Sequence, residues 1–338
     1  MISEKKIGQG TGGKRSILKD ILPLATPLGV YIFPIYSCNF KCKYCLCSLE
    51  HSKRGLKFQK NVMDFSLFKK CVDDISDMDE QLKMLRFAGI GEPLLHKDIA
   101  EMVKYAVNKK ISNSVEIITN GSMLEQGLSD KLIDAGLSRL FISIQGLNSA
   151  TYKDISKVEI DFNKFIENIK YFYEHRKSTS LHIKILDCSL NDGEEEQFYE
   201  LFGNICDTIT IERVAPLMTK VDYSSLITEA NTATVRGNEF EDIDICPHPF
   251  YLMQINPDGT VIPCCSAEGI SPIGDCNINS VKEIWTGKYF NGFRKRMLNG
   301  CKFFSDNNVC SKCVSYKYSI FDEDKITVYD AQNLKQFY

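Results

Sequence analysis

The feature that most constrains the fold is a regular alternation of short apolar strands with amphipathic helices, which begins near residue 29. The intervals between strands carry apolar residues at helical spacing, as in Phe65, Phe68, Val72 and Ile75. Strands alternating with helices form a parallel sheet through right-handed crossovers. The candidate strands are Val30–Ile35, Met84–Ala88, Val115–Thr119, Leu140–Ile144, Leu181–Leu186 and Thr208–Val214.

Six strand–helix units are fewer than the eight of a closed barrel. We therefore expect an α/β fold, a partial (β/α)6 TIM-like barrel with its site at the carboxyl ends of the strands. The pattern changes after this barrel. A polar stretch follows and is interpreted as a linker. A β-hairpin is predicted next, with strands Tyr251–Ile255 and Thr260–Pro263 on either side of the turn Asn256–Gly259. A helix follows the hairpin. The apolar face of that helix comprises Val281, Ile284, Trp285, Tyr289, Phe293 and Met297.

These patterns divide the chain into five parts. We expect an N-terminal extension (1–28), a barrel core (29–215), a linker (216–243), a small α+β domain with the hairpin and helix (244–316), and a C-terminal tail (317–338). The sequence does not decide whether the tail packs on the core.

The chain has 14 cysteines among 338 residues. No apolar run reaches the roughly 20 residues that cross a bilayer, and the N-terminus lacks the apolar core of a secretory signal. We therefore expect a cytoplasmic protein without membrane association, whose thiols stay reduced. So many thiols in such a compartment indicate metal ligands or redox chemistry. A net charge of −3 and a pI near 6.0 argue against nucleic acid as a partner.

The first cysteine group follows the first strand directly. Cys38, Cys42 and Cys45 have the spacing C-x3-C-x2-C. Three thiolates on one loop can hold a four-iron cluster and leave one iron open to a small chelating ligand. Zinc is the alternative, but it normally takes four protein ligands with paired C-x2-C knuckles. The loop therefore favours an iron–sulfur cluster.

This loop resembles the hallmark of the radical S-adenosylmethionine (SAM) superfamily, C-x3-C-x-aromatic-C, with Tyr44 at the aromatic position. The segment Gly89-Ile90-Gly91-Glu92-Pro93 after the second strand is similar to the family's Gly-Gly-Glu-Pro motif. The resemblance implies that SAM chelates the open iron and that Tyr44 contacts its adenine. It also implies that Gly89, Gly91, Glu92 and Pro93 form the segment that binds the methionyl amino group.

Two further strand ends match the family more loosely. Asn120 lies in a Thr-Asn-Gly turn, and Ser143 begins Ser-Ile-Gln-Gly, similar to the family's Ser-x-Asp-Gly. The resemblance implies that Ser143 faces the ribose or carboxylate of SAM. Gln145 stands where the family commonly has Asp, and a neutral amide cannot act as a base.

The second cysteine group lies in the C-terminal part and comprises Cys246, Cys264, Cys310 and Cys313. The residues alone allow zinc or a four-iron cluster. The segments around these cysteines resemble the SPASM/twitch auxiliary-cluster domain. No cysteine follows Cys313, so the resemblance implies the short twitch form, with one cluster on these four residues and with Cys265 and Cys301 as alternates.

The resemblance implies two [4Fe-4S] clusters and SAM. The first cluster reduces the sulfonium of SAM to give a 5′-deoxyadenosyl radical, which abstracts a substrate hydrogen. Oxidising an alcohol removes two electrons, and the auxiliary cluster can accept the second. We expect a radical SAM oxidoreductase that dehydrogenates a small polar, carbohydrate-like substrate, similar to twitch-type aminocyclitol dehydrogenases, with a flavodoxin or ferredoxin as electron donor. Candidate catalytic residues are Cys47, which could donate a hydrogen atom or instead pack under the loop, and the strand-end residues Lys184 and Arg213. Together with Glu212, these two charges could contact cofactor or substrate, or they could form a structural ion pair or a solvated rim.

Two other hypotheses stay open. One is a radical SAM enzyme that modifies peptides by thioether formation or epimerisation, although the short segment before Val30 leaves no room for a leader-binding domain. The other is not an enzyme: an electron carrier or a structural zinc protein.

Overall fold

The computed structural model describes residues 15–54, 61–227, 233–239, 243–265, 270–304 and 308–338. Six parallel strands lie side by side in chain order, each paired with the next. This arrangement confirms the predicted partial barrel. The strands are β1 (Gly29–Ile32), β2 (Met84–Phe87), β3 (Val115–Thr119), β4 (Arg139–Ile144), β5 (Ser180–Leu186) and β6 (Thr208–Glu212).

Three of the six barrel strands end earlier than the sequence predicted, and for β2 the difference is one residue, Phe87 rather than Ala88. β1 ends at Ile32 rather than Ile35, because Pro34 has no amide hydrogen to donate to a neighbouring strand. The carbonyl of Pro34 instead accepts from the amide of Met63 at 2.9 Å. β6 ends at Glu212 rather than Val214. After β1 and after β6, the chain therefore leaves the sheet where the candidate site begins.

Helices cover one face of this sheet. Alternate strand residues such as Phe87 and Ile183 are fully buried against them in the main core. The other face carries polar and aromatic side chains toward the barrel interior. The helices of this half are α1 (Leu18–Ile21), α2 (Phe65–Ser76), α3 (Ile99–Asn108), α4 (Gln126–Asp134), α5 (Ser149–Ser156), α6 (Phe162–His175) and α7 (Glu195–Phe202).

The predicted hairpin is present as β7 (Leu252–Ile255) and β8 (Thr260–Ile262), which pair antiparallel, and β9 (Gly274–Asp275) pairs with β8. Its placement was not predicted. β7 pairs parallel with β1, so the hairpin extends the barrel sheet to nine strands. The two halves of the chain therefore share one sheet.

The prediction of one helix after the hairpin was wrong. The structure has two, α9 (Val281–Thr286) and α10 (Lys288–Met297), preceded by α8 (His248–Tyr251). Gly287 separates them with an extended backbone at φ −73° and ψ 162°. A Cβ at Gly287 would lie 2.5 Å from the carbonyl oxygen of Glu283, so only glycine fits this break.

The last helices of the chain are α11 (Asn308–Lys312), α12 (Ser315–Ser319) and α13 (Val328–Leu334), and the predicted tail, residues 317–338, packs on the protein. Ala331 and Leu334 are buried in a second core together with Leu18 of α1. Arg15 binds the carboxylate of Asp324 at 2.6 and 2.7 Å. The part of the predicted extension that precedes residue 15 lies outside the described residues. Among the helices described, none has the length and apolar character needed to cross a membrane.

Candidate functional site

A cavity of about 350 Å³ opens at the carboxyl ends of β1 to β6. It brings together residues that are far apart in the sequence but that all follow, or end, a strand. Pro93 and Cys47, which the sequence also selected, do not line it. The predicted residues in its wall are Cys38, Cys42, Tyr44, Cys45, Gly89, Gly91, Glu92, Asn120, Ser143, Lys184, Glu212 and Arg213.

The three cysteines of the first group present free thiols to this cavity. Cys38 Sγ accepts from the amide of Phe40 at 3.3 Å, and Cys45 Sγ accepts from the amide of Cys47 at 3.5 Å. Burial raises the pKa of Cys42. The loop thus holds three sulfurs around one space, with backbone donors already directed at two of them.

Cys47 lies behind these sulfurs. Its side chain is 3% exposed, and its thiol hydrogen-bonds to Cys38 and Cys45. These bonds lower the pKa of Cys38 and lower that of Cys45 to about 7. Cys47 therefore contacts the loop sulfurs from the protein side rather than from the cavity.

The glycine segment after β2 packs closely against the residues that connect β1 to the cysteine loop. Gly91 has φ +152°, and a Cβ there would lie 2.0 Å from the carbonyl oxygen of Ile35. Gly89 has φ +129°, and a Cβ there would lie 2.4 Å from the ring of Phe33. Packing within the protein requires both glycines. The family resemblance implied that these glycines belong to a ligand-binding segment, but close approach of a ligand is not needed to explain them.

Glu92 connects this segment to β3. The carboxylate is 2% exposed and accepts from Leu94 N at 2.9 Å, Thr119 Oγ1 at 2.6 Å and Asn120 N at 2.7 Å. Burial raises its pKa to about 7 despite these donors. Asn120 Nδ2 in turn donates to Asn39 Oδ1 at 2.9 Å. The ends of β2 and β3 and the cysteine loop thus form one hydrogen-bonded unit.

Tyr44 and Gln145 meet across the cavity wall. Gln145 Nε2 donates to the hydroxyl of Tyr44 at 3.3 Å, and its buried Oε1 has no partner among the described residues. Sequence reasoning missed Tyr223, whose hydroxyl donates to the carbonyl of Tyr44 at 3.0 Å. Tyr223 lies in the stretch predicted as a linker. The one sequence feature that could have identified Tyr223 is that it and Val221 are apolar residues in a polar segment. Both side chains are buried.

The opposite wall is charged. Lys184 Nζ donates to Glu212 Oε2 at 2.7 Å, and Arg213 is exposed at the rim. Burial by itself would raise the pKa of Glu212, but the Lys184 ammonium outweighs burial and holds that pKa below its usual value. Glu212 is therefore an ionised carboxylate at neutral pH, directed to the same cavity as the cysteine loop.

The second cysteine group surrounds a smaller cavity of about 30 Å³. The four predicted ligands and both alternates line it, so the structure brings six thiols together. They are Cys246, Cys264, Cys265, Cys301, Cys310 and Cys313. Burial raises the pKa of Cys265 to about 11, and the guanidinium of Arg86 on β2 partly opposes this rise. Cys301 Sγ donates to Met297 Sδ at 3.6 Å.

Buried hydrogen bonds join the first cysteine loop to β7. Tyr36, two residues before Cys38, donates from its hydroxyl to Asn256 Oδ1 at 2.7 Å. Gln254 Nε2 of β7 donates to the same oxygen at 2.6 Å. Tyr31 of β1 packs against the apolar residues around both cysteine groups. The relative position of the two sites is thus fixed by buried contacts.

Family models match both halves of the chain. The model described as "Radical SAM superfamily" matches residues 32–202, just over half of the chain, and the SPASM "Iron-sulfur cluster-binding domain" matches residues 246–314. The chain belongs to the radical SAM superfamily. It is a radical SAM enzyme with a SPASM domain, and its cofactors are SAM, a [4Fe-4S] cluster and an auxiliary cluster.

Individual relatives cover this radical SAM enzyme to different extents. It is 30% identical to a GTP 3′,8-cyclase of Aliarcobacter butzleri over 164 residues, which are 48% of this chain and 47% of that protein. The chain thus spans about half the length of that curated relative. The structure of BtrN in complex with AdoMet and 2-DOIA is 18% identical, with a TM-score of 0.54 over 85% of this chain and 92% of BtrN.

A third comparison is with Streptococcus suis SuiB bound to the precursor peptide SuiA. That structure is 16% identical, with a TM-score of 0.64 over 91% of this chain and 78% of SuiB. Both structural matches confirm the fold of the barrel and its C-terminal extension. At this level of identity they do not identify the substrate.

The donor sets fit the cofactors of the family. The first site offers three thiols beside an open cavity, which suits a cluster with one iron free for a small ligand. The second offers six thiols around a smaller cavity, and more than four thiols suit a cluster held by protein alone.

Proposed function

We propose that this radical SAM enzyme oxidises an alcohol group of a small polar, carbohydrate-like substrate, and that the second cluster site accepts one of the two electrons. The observation that carries the proposal is the pairing of two unlike thiol sites on one sheet. One lies in a cavity of about 350 Å³ beside hydrogen-bonding groups, and the other surrounds a smaller cavity of about 30 Å³. Tyr31 of β1 packs against the apolar residues around both.

In this proposal Cys38, Cys42 and Cys45 hold the first cluster, whose fourth iron binds SAM. When bound, the cluster and SAM supply a 5′-deoxyadenosyl radical that abstracts a hydrogen atom from the substrate. The chain orients SAM: Glu92 presents an acceptor to its amino group, and Tyr44, Asn120 and Ser143 lie in the wall that surrounds it. Pro93 begins the short turn that fixes Glu92, because Leu94 N donates to the Glu92 carboxylate.

The charged wall binds the substrate in this proposal. A hydroxyl group both donates and accepts, so it can hydrogen-bond to Lys184, Glu212 or Arg213. Lys184 donates to Oε2 of Glu212, so among the described residues the Oε1 atom is left to accept from a substrate hydroxyl group. An ionised Glu212 can therefore accept the hydroxyl proton while Lys184 holds the carboxylate in place.

The electrons and protons of this reaction balance. The substrate loses one hydrogen atom to the radical, one proton to a base and one electron to the auxiliary site, and a carbonyl group forms. Cys246, Cys264, Cys310 and Cys313 hold the auxiliary cluster with all four positions filled by protein. Such a cluster exchanges electrons without binding substrate.

A test uses reduced enzyme with pools of sugars, aminocyclitols, nucleotides and peptides. We expect a product lighter by two hydrogens, formed in step with 5′-deoxyadenosine, from an alcohol in the sugar or aminocyclitol pool. Deuterium uptake from solvent into a peptide without loss of mass would instead indicate an epimerase. A cyclised nucleotide would replace the proposal with the activity named for the Aliarcobacter butzleri relative.

A matched variant separates binding from chemistry. Lys184→Met removes the partner of Glu212, so the buried carboxylate loses its stabilising charge and its pKa rises. We expect a higher KM and an acid limb of the rate profile displaced to higher pH, with SAM affinity unchanged. Glu212→Gln removes the proposed base itself, so in this second variant we expect substrate oxidation to be lost while SAM binding is unchanged.

A further inference from the structure

One residue in the wall of the first cavity departs from the family pattern. Gln145 follows β4 directly, at the position where the family commonly has Asp. Its side chain is 2% exposed, and its Nε2 atom donates to the hydroxyl of Tyr44 at 3.3 Å. Its Oε1 atom is buried without a partner in the part of the chain that the structure describes. The hydrogen bond to Tyr44 is therefore what orients this amide.

The amide reverses the direction of this hydrogen bond. A carboxylate at position 145 could only accept, so Tyr44 would have to donate its hydroxyl hydrogen to it. The amide nitrogen donates instead, and the oxygen of Tyr44 accepts. A phenol that accepts one hydrogen bond still has its own hydrogen to donate. Glutamine in place of aspartate therefore leaves the hydroxyl hydrogen of Tyr44 to a different acceptor.

The cysteine loop supplies that acceptor. Tyr44 lies in the turn that the amide of Cys45 closes by donating to the carbonyl of Cys42 at 2.9 Å, and Tyr223 donates to the carbonyl of Tyr44 at 3.0 Å. Cys42 and Tyr44 pack in the same apolar cluster and line the same cavity. Burial raises the pKa of Cys42, and a hydrogen bond between the side chains of Cys42 and Tyr44 partly opposes this rise. Cys42 is thus the neighbour to which the hydroxyl of Tyr44 is directed.

We propose that Tyr44 donates a hydrogen bond to the Cys42 sulfur of the first cluster, and that Gln145 is the positioning residue that directs this hydroxyl. A donor to a cluster sulfur stabilises the reduced, more negatively charged state, so the reduction potential rises. The cavity wall thereby makes the SAM-binding cluster easier to reduce. The inference concerns a cofactor that family membership establishes. It does not depend on the substrate or on the alcohol oxidation proposed above.

The test measures the reduction potential of each cluster by electron paramagnetic resonance of the holoenzyme. SAM is left out of the titration, so contact between Tyr44 and adenine does not contribute. The variants are Tyr44→Phe, Gln145→Met and the double variant. The matched control is Tyr171→Phe on α6, which removes a hydroxyl that donates to Asp130 at 3.0 Å and that lines neither cavity. Iron content verifies that every variant keeps both clusters.

We expect Tyr44→Phe to make the SAM-binding cluster harder to reduce. Hydrogen bonds to charged groups are strong enough for about a tenfold fall in the equilibrium constant of reduction, which is about 59 mV for one electron. Gln145→Met should lower the potential by a smaller amount. The double variant should match Tyr44→Phe, because Gln145 acts through Tyr44. The auxiliary cluster is the internal reference and should keep its potential throughout, and Tyr171→Phe should change neither cluster.

An unchanged potential in Tyr44→Phe would overturn the inference. A potential of Gln145→Met equal to or above that of the wild type would also overturn it, because the amide would then accept from Tyr44 and withhold its hydrogen from the sulfur. A second arm exchanges the protein into heavy water and detects deuterons coupled to the reduced cluster by electron–nuclear double resonance. One coupled deuteron should be missing from Tyr44→Phe and present in Tyr171→Phe. Its persistence in Tyr44→Phe would contradict the proposed donor.

Discussion

The two cysteine sites of this radical SAM enzyme differ in how the chain builds them. The first has three thiols on one loop beside a cavity of about 350 Å³ whose wall carries carboxylate, amide and hydroxyl groups. The second has six thiols from several elements around a cavity of about 30 Å³. The first is therefore suited to admit ligands. The second is suited to hold a cluster that only exchanges electrons.

The two sites also differ in how the sequence encodes them. The first site depends on local spacing, while the second depends on distant segments brought together by β7, β8 and the C-terminal helices. Because β7 pairs with β1, the two sites share a sheet and are held at a fixed separation. This arrangement supports the proposed division of labour, with radical generation at the first site and electron acceptance at the second.

The largest effect is expected from removing the first site. Replacing Cys38, Cys42 and Cys45 by Ala should reduce SAM cleavage to background and remove about half of the iron, since each cluster holds four irons. Iron analysis and 5′-deoxyadenosine assays measure both. Retention of all the iron by this triple variant would contradict the assignment of the loop.

Removing the second site should uncouple the reaction instead. In Cys246→Ala we expect about half of the iron and continued SAM cleavage, with substrate oxidation lost. Cys265→Ala and Cys301→Ala are the matched controls, because both thiols line the same cavity but are not proposed ligands. Iron loss in either control would transfer the ligand role to that residue.

The sequence predicted the first site more completely than the second. The cysteine loop, Gly91 and Glu92 were recognisable because each motif is local and follows a strand. The contact of Tyr223 with Tyr44 was missed, since it joins residues 179 positions apart through a polar segment. The pairing of β7 with β1 was also missed, because periodicity predicts a strand but not its neighbour. For the second site, the family resemblance implied four cysteines with Cys265 and Cys301 as alternates, and all six line the same cavity.

An intermediate effect is expected at Glu92. Glu92→Gln replaces a charged acceptor with an amide whose nitrogen must face Thr119 or a backbone donor. Hydrogen bonds to charged groups contribute about 1.5–3 kcal/mol, so SAM should bind roughly ten- to a hundredfold more weakly. Calorimetry measures this affinity, and the auxiliary iron serves as an internal control. SAM affinity equal to that of the wild type would exclude Glu92 as a SAM ligand.

The smallest effect concerns acid stability of the barrel. His182 of β5 is 4% exposed, and burial lowers its pKa to about 4. The unfolded state therefore takes up a proton before the folded state does as the pH falls. As the pH falls, the free energy of unfolding therefore decreases. This decrease begins near pH 6.5, is complete near pH 4 and reaches about 3 kcal/mol. Denaturant titrations of the wild type and His182→Gln should show a flatter pH dependence in the variant. Parallel curves would contradict this account of His182.

The most direct test of the division between the two sites is electron paramagnetic resonance of the reduced enzyme with and without SAM. We predict two [4Fe-4S] signals, of which SAM alters only one. That signal should be missing from the triple variant of Cys38, Cys42 and Cys45, and the remaining signal should not respond to SAM. A response to SAM in the triple variant would contradict the account, as would a wild-type enzyme in which SAM alters both signals or neither.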